Sequence, residues 1–266
     1  MLRIGHCGFK LETASDASHI KLEMPNVLAN IFFASLYLRS NENDLAMGDP
    51  EVLWQSMSRK HGNCKLVAPH QIHGTNIVDA APDYALPSRP EADGVFINEG
   101  AECLASLRFA DCTPVVIAGD TPKPWMFILH SGFVGTVKNI SLYAFHYLEK
   151  IYGAQKTGNV WAWILPGISF GCYYRKLSDE KTKEAGKIFT DDNMLVNGDR
   201  VYFDIHGQIR YQLDKLGVPQ KNIYSYDDCT CCNRSLYYSY RAGDKDDRMF
   251  LLAGNIATNM KVRVKI

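Results

Sequence analysis

The stretch ADCTPVVIAGDTPKPWMFILHSGFVG, residues 110–135, sets Cys112 before one apolar run and His130 at the end of the next. A thiolate and an imidazole held together can ligate a metal, or act as nucleophile and base. The runs 113–118 and 125–130 flank GDTPKP, whose glycine, aspartate and prolines are turn formers, so antiparallel pairing across it brings the outer ends together. With Ala118 facing Trp125, Cys112 falls opposite Ser131; a shift of one residue makes Cys112 and His130 direct partners. Opposed side chains leave a sheet on the same face with Cβ atoms about 4.5–5.5 Å apart.

A third ligand separates the two chemistries. HQIHG, residues 70–74, follows the strand-like CKLVAP and offers His70 and His73. Two histidines, one cysteine and an open fourth position suit zinc, which lowers the pKa of a bound water from about 16 toward 7. Ser131 and Gly132 come directly after His130 and open a predicted helix, so free backbone N–H groups and a positive helix end would face an anion there. Asp93 and Asp111 are candidate acids for proton transfer to a leaving group, or orienters of a ligand. CTCC, residues 229–232, lacks the spacing of a zinc knuckle, and Cys231 and Cys232 read as local thiols near a surface turn. Tyr237, Tyr238 and Tyr240 of RSLYYSYR read as strand aromatics that pack, with stacking on a base as the functional alternative. His206 reads as solvent-facing or as a satisfied polar contact.

The elements that must position these groups are partly legible. Asp49-Pro50 begins a short helix ending at Gly62; DGVFIN and ECLASLRF are strands joined by NEGA as a hairpin; one helix runs from after His130 to Gly153. VWAWIL is a further strand, and Asp204 caps a helix closed by Gly217. Strands in hairpin-like succession, interrupted by isolated helices, indicate an α+β fold rather than regular βαβ alternation.

Composition narrows the function class. The 266 residues are 46% hydrophobic and 22% charged with zero formal net charge, enough to bury a large core and without the basic excess that a phosphate backbone demands. Small molecules are therefore the expected partners, not nucleic acid. MLRIGHCGFKLE lacks the apolar stretch of a secretory signal and no run reaches the roughly 20 residues of a membrane span, so a cytoplasmic chain whose eight cysteines are thiols or metal ligands is expected. Residues 1–266 contain no linker long enough to divide them, so one domain is expected.

The blocks HQIHGTNIV, EADGVFI, FADCTPVVI, ILHSGFVG, LPGISFGCYYR, FDIHGQIRYQLDKLGV, DDCT and YYSYRAGDKDDR occur in this order over most of the chain. As an ordered set they resemble the laccase-domain (YfiH-like) family, described as multicopper polyphenol oxidoreductases and as zinc-dependent purine nucleoside enzymes. The resemblance implies a single domain with a central mixed β-sandwich flanked by helices. It implies zinc held by His73, Cys112 and His130, with copper less favoured because only one triad of ligands is visible. It places Asp93 at an acidic position of the family, and Arg241 and Arg248 at arginines near the substrate. The implied reactions are phosphorolysis of adenosine, inosine or methylthioadenosine, or hydrolytic deamination of adenosine. One departure bears on phosphate: Phe133-Val134 stands where most members have Trp-Arg, and an anion contact goes with that arginine. Arg39 and Lys138 are the candidates to replace the charge. The alternatives are a Cys–His hydrolase using Cys112 and His130, and a catalytically silent homologue that still binds its ligand.

Overall fold

TPVVIAG and WMFILHS are apolar at nearly every position, and a strand with that pattern is stable only when both of its faces are covered. In the computed structural model, which describes residues 8–13, 18–61, 64–153 and 158–260, both strands are buried along their whole length. They lie at the centre of a six-stranded sheet ordered Ile223–Ser225, Val160–Ile164, Thr113–Gly119, Trp125–Ser131, Gly94–Asn98, Ile77–Asp79. Its two outermost pairings are parallel and the inner ones antiparallel.

A second six-stranded sheet runs Phe9–Thr13, Ser18–Leu22, Phe32–Tyr37, Met249–Asn255, Leu104–Phe109, Leu66–Val67, antiparallel except for its last pairing. Its Leu36, Leu107 and Leu251 meet Val116, Ile128 and Trp163 of the first sheet in one buried cluster, so the two sheets pack face to face. Alternation sends the neighbouring residues outward: Val115, Ile117, Phe127 and Leu129 pack on the helices Ile140–Tyr152 and Ile205–Lys215. On the far side Phe250 and Leu252 pack on Leu53 and Met57 of the helix Pro50–Met57. The order is helix, sheet, sheet, helix, a mixed α+β architecture. A three-stranded antiparallel sheet, Tyr174–Lys176, Arg200–Phe203 and Met194–Asn197, completes the strands among the described residues. Among them no helix is long and apolar enough to cross a membrane.

Several local expectations change. NEGA does not close a hairpin: Gly94–Asn98 pairs with Trp125–Ser131, whereas Leu104–Phe109 pairs with Met249–Asn255 in the other sheet. Turn chemistry reverses the chain, but apolar faces choose the partner, and here the turn crosses between layers. The helix after His130 is two helices, Phe133–Val137 and Ile140–Tyr152. Asn139 breaks it at φ 56°, a left-handed conformation that asparagine tolerates, and its side chain then accepts from the Leu142 N–H to cap the second helix. Asp49 caps the Pro50–Met57 helix, which passes into a 3₁₀ turn Ser58–His61; Gly62, the expected terminator, lies outside the described residues. RSLYYSYR forms turns rather than a strand, with Tyr237 and Tyr238 fully buried in the core between the sheets.

Candidate metal centre

Pairing of the central strands sets Pro114 opposite His130 and Thr113 opposite Ser131. Cys112 therefore lies just beyond the ladder, against Gly132, and not opposite Ser131 or His130 as either sequence register has it. Gly132 makes this approach possible, because a Cβ there would stand 2.3 Å from Cys112 Sγ. Asp111, at φ 80°, turns the chain so that the thiol points back toward the histidines. His73 arrives from the loop after Leu66–Val67 and is also left-handed, at φ 57°. Two non-glycine residues in this region, each at or next to a ligand, mark backbone held in place by its surroundings.

Asp93 does that holding. It sits fully buried where Gly94–Asn98 begins, and its carboxylate accepts the backbone N–H groups of Ile72 (3.1 Å), His73 (3.0 Å) and Gly74 (2.6 Å). The same carboxylate lies 2.8 Å from His130 Nδ1, which leaves Nε2 to face Cys112. One buried anion thus shapes the His73 turn and sets the tautomer of His130, an arrangement typical behind metal-bound imidazoles. His73, Cys112 and His130 present ligating atoms all within 4.8 Å of one another, with His73 exposed and His130 buried. Two imidazoles, a thiolate and a side open to solvent fit a metal ion with a vacant coordination position.

Electrostatics prepares the cluster. Burial opposes ionisation of the Cys112 thiol, but His130 and His73 beside it outweigh burial and bring it down to about 6. Burial also disfavours a charged His130, yet the Cys112 thiolate and Asp93 raise it to about 9. Between these values the metal-free pair is a thiolate and an imidazolium. Burial pushes the Asp93 carboxyl up, and the hydrogen bonds from His130 and Gly74 more than reverse it, so it stays ionised below the usual range. To ligate, His130 must surrender the proton it holds up to about pH 9. Metal affinity is therefore expected to rise about tenfold per pH unit from about 6 to about 9, with about one proton released per ion. Chelator competition with Zn2+ across that range, and calorimetry in buffers of differing ionisation heat, measure both; a flat profile rules out the ion pair.

The cluster lines a cleft of about 670 Å³ together with His70, Gln71, Arg108, Asp111, Tyr173, Tyr240, Arg241 and Arg248. Arg241 and Arg248 line the cleft, and of the three tyrosines only Tyr240 does. Ser131 does not: it is buried, with its hydroxyl 3.0 Å from that of Thr136. Gly132 contributes space for a thiol and begins a helix of only five residues, so the expected anion site at this helix end is not built. Both aspartates have their carboxylate oxygens engaged by donors. Asp93 has its oxygens taken by four donors. Asp111 accepts from Thr230 Oγ1 at 2.8 Å and from the Arg241 N–H at 2.7 Å, which ties the Cys112 turn to the loops at 230 and 241.

Arg39 pairs with Asp244 at 2.8 Å away from the cleft, and exposed Lys138 is not part of its lining. The cation that sequence reasoning missed is Arg108. It closes the strand Leu104–Phe109, and Gln71 fixes it: Gln71 Oε1 accepts from the Arg108 N–H at 2.8 Å while Gln71 Nε2 donates to the Arg108 carbonyl at 2.9 Å. Burial, then repulsion from Arg89 and Arg248, brings the Arg108 guanidinium down to about 10. Arg39, Arg175 and Arg210 pair with carboxylates, whereas Arg108, Arg241 and Arg248 pair with none among the described residues. An arginine inside a strand that otherwise holds only apolar residues and Ser106 was the available signal.

Known proteins share this architecture. The crystal structure of YlmD from Geobacillus stearothermophilus superposes with TM-score 0.76 at 19% identity, covering 93% of this chain and 98% of that one. The Bacillus licheniformis hypothetical protein YfiH gives 0.73 at 20% identity, covering 93% and 99%. In sequence, the chain is 26% identical over 187 residues to the purine nucleoside phosphorylase YlmD of G. stearothermophilus, a match spanning 66% of either protein. It is 23% identical over 230 residues to a purine nucleoside phosphorylase of Staphylococcus epidermidis, spanning 85% of this chain and 76% of that protein. Residues 49–258, which include every residue of the His–Cys–His cluster and its cleft, match the model of the multi-copper polyphenol oxidoreductase laccase family, and the chain belongs to that family.

Proposed function

We propose that the protein is a zinc-dependent purine nucleoside phosphorylase. The observation that carries this reading is the convergence, in one cleft, of the His73–Cys112–His130 cluster with three arginines that lack carboxylate partners among the described residues. Zinc fits the donor set, being borderline-soft and content with four ligands, and when bound it supplies a Lewis acid in the cleft. Relatives named purine nucleoside phosphorylase point to the same substrate class.

The chain's own side chains then divide the work. Arg108 and Arg248, whose positive charges repel each other, bind and orient phosphate; the anion relieves that repulsion. The cation supplied by Arg108 answers the loss of the arginine at Val134, whose neighbour Phe133 is buried among Tyr173, Phe189 and Phe203. Tyr240, half exposed at the rim, and Tyr173 offer ring faces to a purine. A phosphate oxygen forms the new bond to ribose C1′, the C1′–N9 bond breaks with its electron pair going to the purine, and the proton of hydrogen phosphate ends on a base nitrogen. Asp93 and Asp111 are positioning residues in this scheme, holding His130, His73 and the Cys112 turn.

Incubation of zinc-loaded protein with inosine, adenosine and methylthioadenosine, with and without phosphate, tests the reading. Phosphate-dependent release of base and ribose 1-phosphate is expected. Ammonia release without phosphate would redirect it to deamination. Arg108→Met is expected to raise the KM for phosphate by about 10- to 100-fold, the worth of one charged hydrogen bond, with a melting temperature close to wild type. An unchanged phosphate KM would remove Arg108 from the site.

One further observation favours a second reading. A thiolate, an imidazolium and an orienting carboxylate, Cys112–His130–Asp93, also describe a cysteine hydrolase. Such an enzyme works without metal, so turnover surviving chelation would select it.

A further inference from the structure

We propose that Cys172, Cys229 and Cys232 form a second metal site, one for a thiophilic d10 cation such as Zn2+ or Cu+, separate from the cleft. Their sulfurs all lie within 4.8 Å of one another, and Cys172 Sγ is 3.4 Å from Cys232 Sγ. Three thiolates around one ion at a metal–sulfur distance of about 2.3 Å stand roughly 3.8 Å apart, so the sulfurs need only small adjustments to close on it. An all-sulfur donor set selects soft d10 ions over hard cations.

The backbone holds two of the three in place without metal. Gly167 and Cys229 form a parallel bridge, the Thr230 N–H donates to the Gly167 carbonyl at 3.0 Å, and the Cys172 N–H donates to Ser169 at 3.0 Å. Cys229 Sγ accepts the Ser169 N–H at 3.4 Å, a contact that suits a thiolate. Cys232 is exposed and leaves the cluster open to solvent, where water can complete the coordination. Cys231 is not part of it, since it packs against the core beneath the sheet. The CTCC spacing concealed the site because its third member lies 60 residues away.

A disulfide between Cys172 and Cys232 would leave Cys229 unused and needs an external oxidant. An ion engages all three.

The site has a structural consequence for the cleft. Thr230, next to Cys229, donates to Asp111, and Tyr173, next to Cys172, lines the cleft. An ion clamping the three thiols would brace both segments from behind.

The test is metal content of the full-length protein, reduced and handled without oxygen, loaded with Zn2+ or, in a second arm, Cu+, and then desalted. Two equivalents are expected in the wild type and one in Cys232→Ser, a surface substitution whose metal-free melting temperature should equal wild type. His73→Ala should conversely retain the second equivalent. With Co2+ as the probe, the second equivalent should carry about three times the thiolate charge-transfer absorption of the first, because three sulfurs replace one. Fully reduced wild type that holds no more metal than Cys232→Ser overturns the proposal, whether both take up one equivalent or both take up two. A Cys172–Cys232 disulfide that forms while the second equivalent is never taken up overturns it too. The arm that loads the site identifies the cation.

Discussion

His73→Ala is expected to lose the cleft metal on desalting and to reduce nucleoside turnover by about 10³-fold, the equivalent of the several kcal/mol that a Lewis acid contributes. The side chain is exposed, so its removal opens no cavity. Its backbone is left-handed, but histidine already carries the cost of a Cβ at that φ, so alanine should change the melting temperature by no more than a few degrees, readily separated from loss of activity. The variant also divides the two readings of the site. Phosphorolysis needs His73 as the third ligand, whereas a Cys112–His130–Asp93 hydrolase keeps all of its groups and should stay within a few-fold of wild type. Metal content and turnover measured on one preparation decide between them, and full activity with no bound metal would end the zinc reading.

How much of this site was legible in the sequence depends on whether the signal was local. Cys112 and His130 announced themselves because each ends an apolar run, and the two runs pair across the turn between them. The register was not legible: the turn fixes it, and the one observed moves Cys112 beyond both strand ends to meet Gly132. Caps were readable at Asp49 and Asp204 because an N-cap needs only a side-chain oxygen and the next two or three N–H groups. The NEGA turn was misread for the opposite reason, since nothing within four residues says which sheet the outgoing strand will join. Long-range polar contacts were invisible for the same cause. Asp93 reaches His130 across 37 residues and Thr230 reaches Asp111 across 119. Those contacts bear on what either aspartate can do, and without them the sequence left proton transfer and the orientation of a ligand equally open for both.

Gly132→Ala is expected to weaken cleft-metal binding by at least about 10²-fold, the effect of displacing a ligand by about 1 Å, while the two sheets remain intact. The backbone at Gly132 has φ −77° and ψ −174°, which any residue adopts, so no conformational strain enters. Space alone forbids the substitution. The new methyl would lie 2.3 Å from Cys112 Sγ and 3.3 Å from Cys112 Cβ, well inside van der Waals contact. Either Cys112 rotates or the 112 and 132 segments separate, and both movements carry the sulfur away from His130. Overpacking of this kind costs about 1–3 kcal/mol, which lowers the melting temperature without unfolding the protein. The electrostatic consequence gives an independent readout: a thiol removed from His130 loses the contact that outweighs burial, so its midpoint should climb from about 6 back toward its ordinary value. The rate of Cys112 alkylation against pH in metal-free protein follows that midpoint directly. A variant that binds zinc as tightly as wild type, with alkylation still half-maximal near pH 6, would show that the thiol is not seated against Gly132.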